Sequence, residues 1–124
     1  GCRHHRTLEL SLDGNLLSGT DRLEIDEGQV TAGMPPVLVR FHLHPRVSAV
    51  PLSDGETIRL DLADGTFWTF QAGNLPVSIE DSFFLGGLSS QRRSQQSVVA
   101  LPEPAATLAW SFVRRSPAPP LAPR

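Results

Sequence analysis

The sequence predicts an all-β fold, an antiparallel β-sandwich, on three observations. Apolar and polar residues alternate with a period of two along most of the chain, the period of strands and not of helices. Asp13-Gly14, Asp54-Gly55 and Asp64-Gly65 punctuate those runs as turns. No window of about eleven residues keeps a helical period. Short strands closed by turns at regular spacing describe a meander or a sandwich.

The elements follow in order. Leu8, Leu10 and Leu12 alternate with Thr7, Glu9 and Ser11 and stop at Asp13-Gly14. Arg22-Leu23-Glu24-Ile25 alternates again before Asp26-Glu27-Gly28. Met34-Pro35-Pro36 reads as a loop or the approach to a strand, because proline has no N–H for a ladder. Val37, Val39, Phe41 and Leu43 form an apolar face, with Leu38, Arg40, His42 and His44 on the other and Pro45 as the stop. Past Asp54-Gly55, residues 57–62 turn Ile58, Leu60 and Leu62 inward. Past Asp64-Gly65 come Thr66, Trp68 and Phe70. Val77 and Ile79 open a strand that runs towards Phe83, Phe84 and Leu85, and residues 86–93 read as an exposed polar loop. Val98 to Leu101, then Leu108, Trp110 and Phe112, complete the set. Leu10, Phe41, Leu60, Trp68 and Trp110 are expected on inner sheet faces. Residues 1–115 make one domain, and residues 116–124, with four prolines, make a disordered tail.

A chain of 124 residues is long enough to bury a core. Its net charge of −2 gives no electrostatic footprint for nucleic acid. One cysteine, Cys2, cannot close an internal disulfide, so the fold must rest on packing. No stretch approaches the roughly 20 apolar residues of a membrane helix. The chain opens at Gly1 inside a strand-like pattern, which predicts a piece cut from a longer protein.

Five stretches, in this order and spacing, resemble the C-terminal part of the heparinase II/III-like proteins. They are His5-Arg6-Thr7-Leu8-Glu9-Leu10-Ser11, Gly19-Thr20-Asp21-Arg22-Leu23, Arg40-Phe41-His42-Leu43-His44-Pro45, Ile79-Glu80-Asp81-Ser82 and Arg92-Arg93-Ser94-Gln95-Gln96. The resemblance covers residues 4 to 115 and implies a larger polysaccharide lyase, with an α/α toroid upstream and this chain as the later part of a β-sandwich. Such lyases cleave acidic polysaccharides by β-elimination: a base takes the proton next to the uronate carboxyl group, and an acid protonates the departing glycosidic oxygen. The family draws those groups, a tyrosine acid among them, mostly from the toroid and the first sandwich strands. This chain has no tyrosine, so it is expected to be inactive alone and to need no cofactor. The resemblance also implies an acidic polysaccharide as partner and a place in the periplasm or cell envelope, with the cytoplasm as the alternative.

Candidate binding residues are few. His42 and His44, at i and i+2, share one strand face and could grip a metal or a sulfated sugar. No further ligand stands at fixed spacing, although Asp61 and Glu80 are the first places to look, so the pair is read as decorating the solvent face. Arg92 and Arg93 could hold sulfate or carboxylate oxygens through guanidinium forks, or be plain solvated charge. Substrate contact is therefore assigned to Arg92, Arg93, His42 and His44, with no catalytic residue and no metal. Glu80 and Asp81 are neighbours and would face opposite ways, unlike the flanking carboxylates of glycoside hydrolysis. A structural job suits them better, with Asp81 and Ser82 holding a bulge or turn. His4 and His5 read as the start of a strand. Trp68, Phe70, Trp110 and Phe112 are the best available core, whereas exposure would make them a sugar-stacking platform. A carbohydrate-binding module and a purely structural domain stay open as alternatives.

Overall fold

The computed structural model describes residues 2–26, 28, 33, 37–84, 92–103 and 106–115. Within them the alternating runs form nine strands, and no helix is long and apolar enough to cross a membrane. The strands are β1 (Cys2–Leu10), β2 (Leu16–Ile25), β3 (Leu38–His42), β4 (Ser48–Pro51), β5 (Thr57–Asp61), β6 (Phe67–Gln71), β7 (Ser78–Phe84), β8 (Arg92–Ala100) and β9 (Thr107–Arg115). All pairings are antiparallel, in a six-stranded sheet of order β1-β2-β9-β6-β5-β4 and a three-stranded sheet of order β3-β8-β7. The fold is the expected sandwich. The proline segment around Met34 and the tail at residues 116–124 lie outside the described residues.

Turn chemistry explains the hairpins. In each Asp-Gly pair the aspartate carboxylate accepts main-chain N–H groups just ahead of it: Asp54 Oδ1 takes those of Glu56 and Thr57, both at 2.9 Å. The Thr57 hydroxyl and these amides hold the Asp54 carboxyl below the usual carboxylate range. Gly55 and Gly65 then take φ of +71° and +88°, a region costly for residues with a Cβ. Asp54 and Asp64 keep negative φ, so the glycine alone reverses the chain.

Between the sheets, Phe41 of the small sheet meets three rings of the large one. Its ring centre lies 5.0 Å from Phe70, 5.0 Å from Trp110 and 5.8 Å from Phe112. Val39, Ile58, Leu60, Val99 and Leu108 complete the buried layer. Phe41, Leu60 and Trp110 are thus core, as expected. Two other expectations fail. Leu10 is 63% exposed, and Trp68 is only half-buried at the margin of the core. Alternation does put Leu8 and Leu10 on the inner face, but among the described residues the three strands of the small sheet do not cover all six of the large one, and the Leu8–Leu10 end of β1 stays exposed.

Three further corrections concern the small sheet. Arg92 and Arg93 begin β8, so the loop expected over residues 86–93 ends before them; residues 86–91 lie outside the described residues. The β7–β8 ladder runs without interruption through Asp81↔Gln95 and Ser82↔Ser94, so Asp81 and Ser82 hold no bulge. His44 falls beyond β3, in the connection to β4, where its Nδ1 accepts the Arg46 N–H at 3.1 Å.

Candidate functional site

The densest polar constellation sits where β1 and β2 meet the free edge of β3. Strand phase brings it together. Arg6 pairs with Asp21 across the β1–β2 ladder, and Asp21 pairs with Leu108 of β9, so the carboxylate lies in line with apolar residues. Asp21 is 1% exposed. Three donors hold it: His4 Nε2–H at 2.5 Å and Arg6 Nε–H at 2.7 Å to Oδ1, and Trp110 Nε1–H at 2.6 Å to Oδ2. Burial alone would raise its pKa. The bonds from Arg6, His4 and Trp110 outweigh that and hold it below the ordinary carboxylate value. The Arg6 guanidinium lies 5.1 Å from the Phe41 ring centre and 5.7 Å from that of Trp110, within cation–π range of both.

Gly19 makes this arrangement possible. A Cβ there would stand 2.5 Å from Trp110 Cζ2 and 2.3 Å from the Thr7 carbonyl oxygen. Without one, the indole can lie against β2 and aim its N–H at Asp21. An open cleft of about 350 Å³ borders the constellation, walled by His4, Arg6 and Leu23 on one side and Val37, Leu38 and Arg40 on the other.

The outer face of the small sheet carries a second polar array. Arg40 Nη1 donates to Glu80 Oε1 at 2.7 Å, and His42 Nδ1 lies 2.9 Å from Ser82 Oγ. Gln96 is buried between them, in register with His42 on one side and Glu80 on the other. The expected binding residues do not converge here. Gln95 points to the large sheet, where its Oε1 accepts the Ala49 N–H at 3.0 Å. Arg93, two residues away on β8, therefore shares that side, while His42 sits on the opposite one. Arg92 pairs with Phe84 at the end of the ladder. Among the described residues no group of three His, Cys, Asp or Glu side chains could hold a metal ion. Glu80 is engaged with Arg40, and Asp61 with Arg59 in the other sheet.

Asp21 was not singled out as a functional residue from the sequence. Its signal is phase: on β2 it falls in step with Leu17, Leu23 and Ile25, where a lone carboxylate needs donors, and His4 and Arg6 stand in the same phase on β1.

The five stretches of resemblance gather in these two places, at the β1–β2 hairpin and on the three strands of the small sheet. A family model described as heparinase II/III-like, C-terminal, matches residues 1–113. The chain belongs to this family. No curated protein and no solved structure matches it. The match takes in the nine strands of the described residues, with both polar constellations, and ends two residues short of the end of β9.

Proposed function

We propose that this domain is the C-terminal accessory sandwich of a polysaccharide lyase that cleaves uronate-containing polymers by β-elimination, with an α/α toroid preceding it. The family match over residues 1–113 carries this reading. β-Elimination needs a base at the carbon next to the uronate carboxyl, an acid at the leaving oxygen and positive charge to bear the developing enolate. The sequence supplies no tyrosine for the acid, and the residues of the Asp21 constellation are committed to one another. The upstream part provides the chemistry, and the sandwich supports it. Substrate contact on this domain is assigned to two separate places, His42 on the outer polar face of the small sheet with His44 at its margin, and Arg92 and Arg93 at the start of β8, where Arg93 lies on the opposite side of the sheet from His42. The same reading gives the protein a periplasmic or envelope location, where such polymers occur. A sugar-stacking platform is disfavoured because Trp110 is buried and Trp68 half-buried.

The test is turnover of uronate polymers, followed by the ultraviolet absorbance of the unsaturated product. Full-length protein should act on at least one such polymer and the 124-residue chain on none. Turnover by the chain alone would overturn the accessory role, and a full-length protein inert on every uronate polymer would overturn the lyase. In the active protein, His42→Ala with His44→Ala should raise KM and leave kcat nearly unchanged. An unchanged KM would remove that face from the substrate path.

A further inference from the structure

The cleft of about 350 Å³ between the β1–β2 hairpin and the edge of β3 has the size of a small-ligand site, at the low end of the usual range. The polar groups around it are not used up. Arg6 gives only its Nε–H to Asp21, so its Nη1 and Nη2 carry no hydrogen bond among the described residues. His4 gives Nε2–H to Asp21, which leaves Nδ1 of the neutral ring as an acceptor. Along β3, Leu43 N–H donates to Gln95 O and Leu101 N–H to Val37 O, so the odd residues exchange bonds with β8. Antiparallel alternation then turns the main-chain N–H and C=O groups of Leu38 and Arg40 to the cleft side. Between these polar rims lie Leu23, Val37 and Leu101.

The charges around the cleft cancel. Arg6 is answered by Asp21 and Arg40 by Glu80. Arg22 stands in the other strand phase, with His5 and Glu24, so its side chain belongs to the outer face of the large sheet. A carboxylate or sulfate therefore gains no net attraction in the cleft, and it would face the charge of Asp21 close behind Arg6.

We propose that this cleft binds one uncharged sugar ring. Each sugar hydroxyl both donates and accepts. That suits a rim offering the Arg6 Nη donors, the His4 Nδ1 acceptor and the N–H and C=O groups of β3. The C–H face of the ring packs on Leu23, Val37 and Leu101, with no aromatic platform. Asp21 is the positioning residue: buried itself, it holds Arg6 and His4 in place without reaching the sugar. The subsite is distinct from that of His42, which pairs with Ser82 on the outer face of the small sheet. That the ring belongs to the polymer of a lyase rests on the lyase reading, whereas binding of the sugar does not.

Titration of the 124-residue chain with single sugars tests this, with the methyl resonances of Leu23, Val37 and Leu101 as reporters. Glucose, galactose, mannose and N-acetylglucosamine are the uncharged probes, and glucuronate is the charged one. At least one uncharged sugar should shift all three sets, with a midpoint that changes less than about twofold from low to high salt, since no net charge is screened. His4→Ala should weaken that binding about fivefold, the loss of one hydrogen bond. Leu23→Phe, which fills the cleft and leaves the donors to Asp21 in place, should abolish it. No shift with any uncharged sugar would overturn the proposal. So would tighter binding of glucuronate that fades with salt, which makes the cleft an anion site, or sugar binding that survives both substitutions. Turnover of uronate polymers by the full-length protein separates the two claims. Turnover with no sugar in the cleft sinks the subsite and keeps the lyase, and sugar binding without turnover does the reverse.

Discussion

A carboxylate with almost no contact with water must be held by donors, and Asp21 has three of them, from β1 and β9. Removing one member of a buried charged pair typically costs 3–5 kcal/mol, because its partners lose their counter-charge and acceptor. For Asp21→Ala we expect about 3 kcal/mol in urea unfolding, the lower end, because Arg6 and His4 stay partly in water and their loss is screened. A value under about 0.5 kcal/mol would mean that the network contributes nothing to stability. The same residue sets an acid dependence. Its pKa is lower folded than unfolded, so its contribution is complete above the unfolded value near 3.9 and fades as pH falls through the folded value. Wild-type stability should therefore drop below about pH 4 more steeply than that of Asp21→Asn, a difference readable in denaturation at a series of pH values. The position is legible in the sequence as an acid in the apolar phase of a strand. Its partners are not, because Trp110 lies 89 residues away and only the β2–β9 pairing brings it there.

Strands and turns were the most legible features, for a local reason. Each Asp-Gly pair carries its own instruction, with the carboxylate capping the following amides and the glycine taking positive φ. Gly65→Ala should accordingly cost about 1–2 kcal/mol, the usual cost of a left-handed residue with a Cβ, although a Cβ there meets nothing within 4 Å. An urea midpoint equal to wild type would show that the turn relaxes to another form. Burial was less legible. Val39 and Phe41 alternate just as Leu8 and Leu10 do, yet the first pair is buried and the second exposed. Alternation fixes which residues share a face, and only the stacking of sheets decides which part of that face is covered. Arg92 and Arg93 misled for a similar reason. Two charges in a Ser/Gln stretch read as loop, but β7 pairs with that stretch from Arg92 onward, and β3 joins the other side from Gln96.

At the scale of the molecule, the small sheet is fastened to the large one chiefly through Phe41, whose ring touches Phe70, Trp110 and Phe112 at once. Phe41→Ala should cost about 3–5 kcal/mol, the range for emptying a large aromatic site in a close-packed core. Thermal unfolding within a degree or two of wild type would show that the sheets are held elsewhere. The architecture followed from sequence because period, turns and the five family stretches all point one way. The unequal sheets did not, since no local pattern records how many strands lie in each layer.

Among the described residues β9 is the last strand in the sequence, and it lies inside the larger sheet, between β2 and β6. Until it arrives, the β1–β2 hairpin and the β4–β5–β6 meander have no ladder in common, and Trp110 and Phe112 are missing from the aromatic cluster. A ribosome adding about 5–20 residues per second thus exposes the eight other described strands before the one that joins them. Folding of this domain cannot proceed by vectorial accretion. It waits for release of residues 107–115, and until then Ile58, Phe70 and Val99 are open to chaperones and to wrong pairings. A premature stop anywhere ahead of Thr107 would leave a nascent chain with two unjoined halves, a substrate for proteolysis rather than a shortened domain.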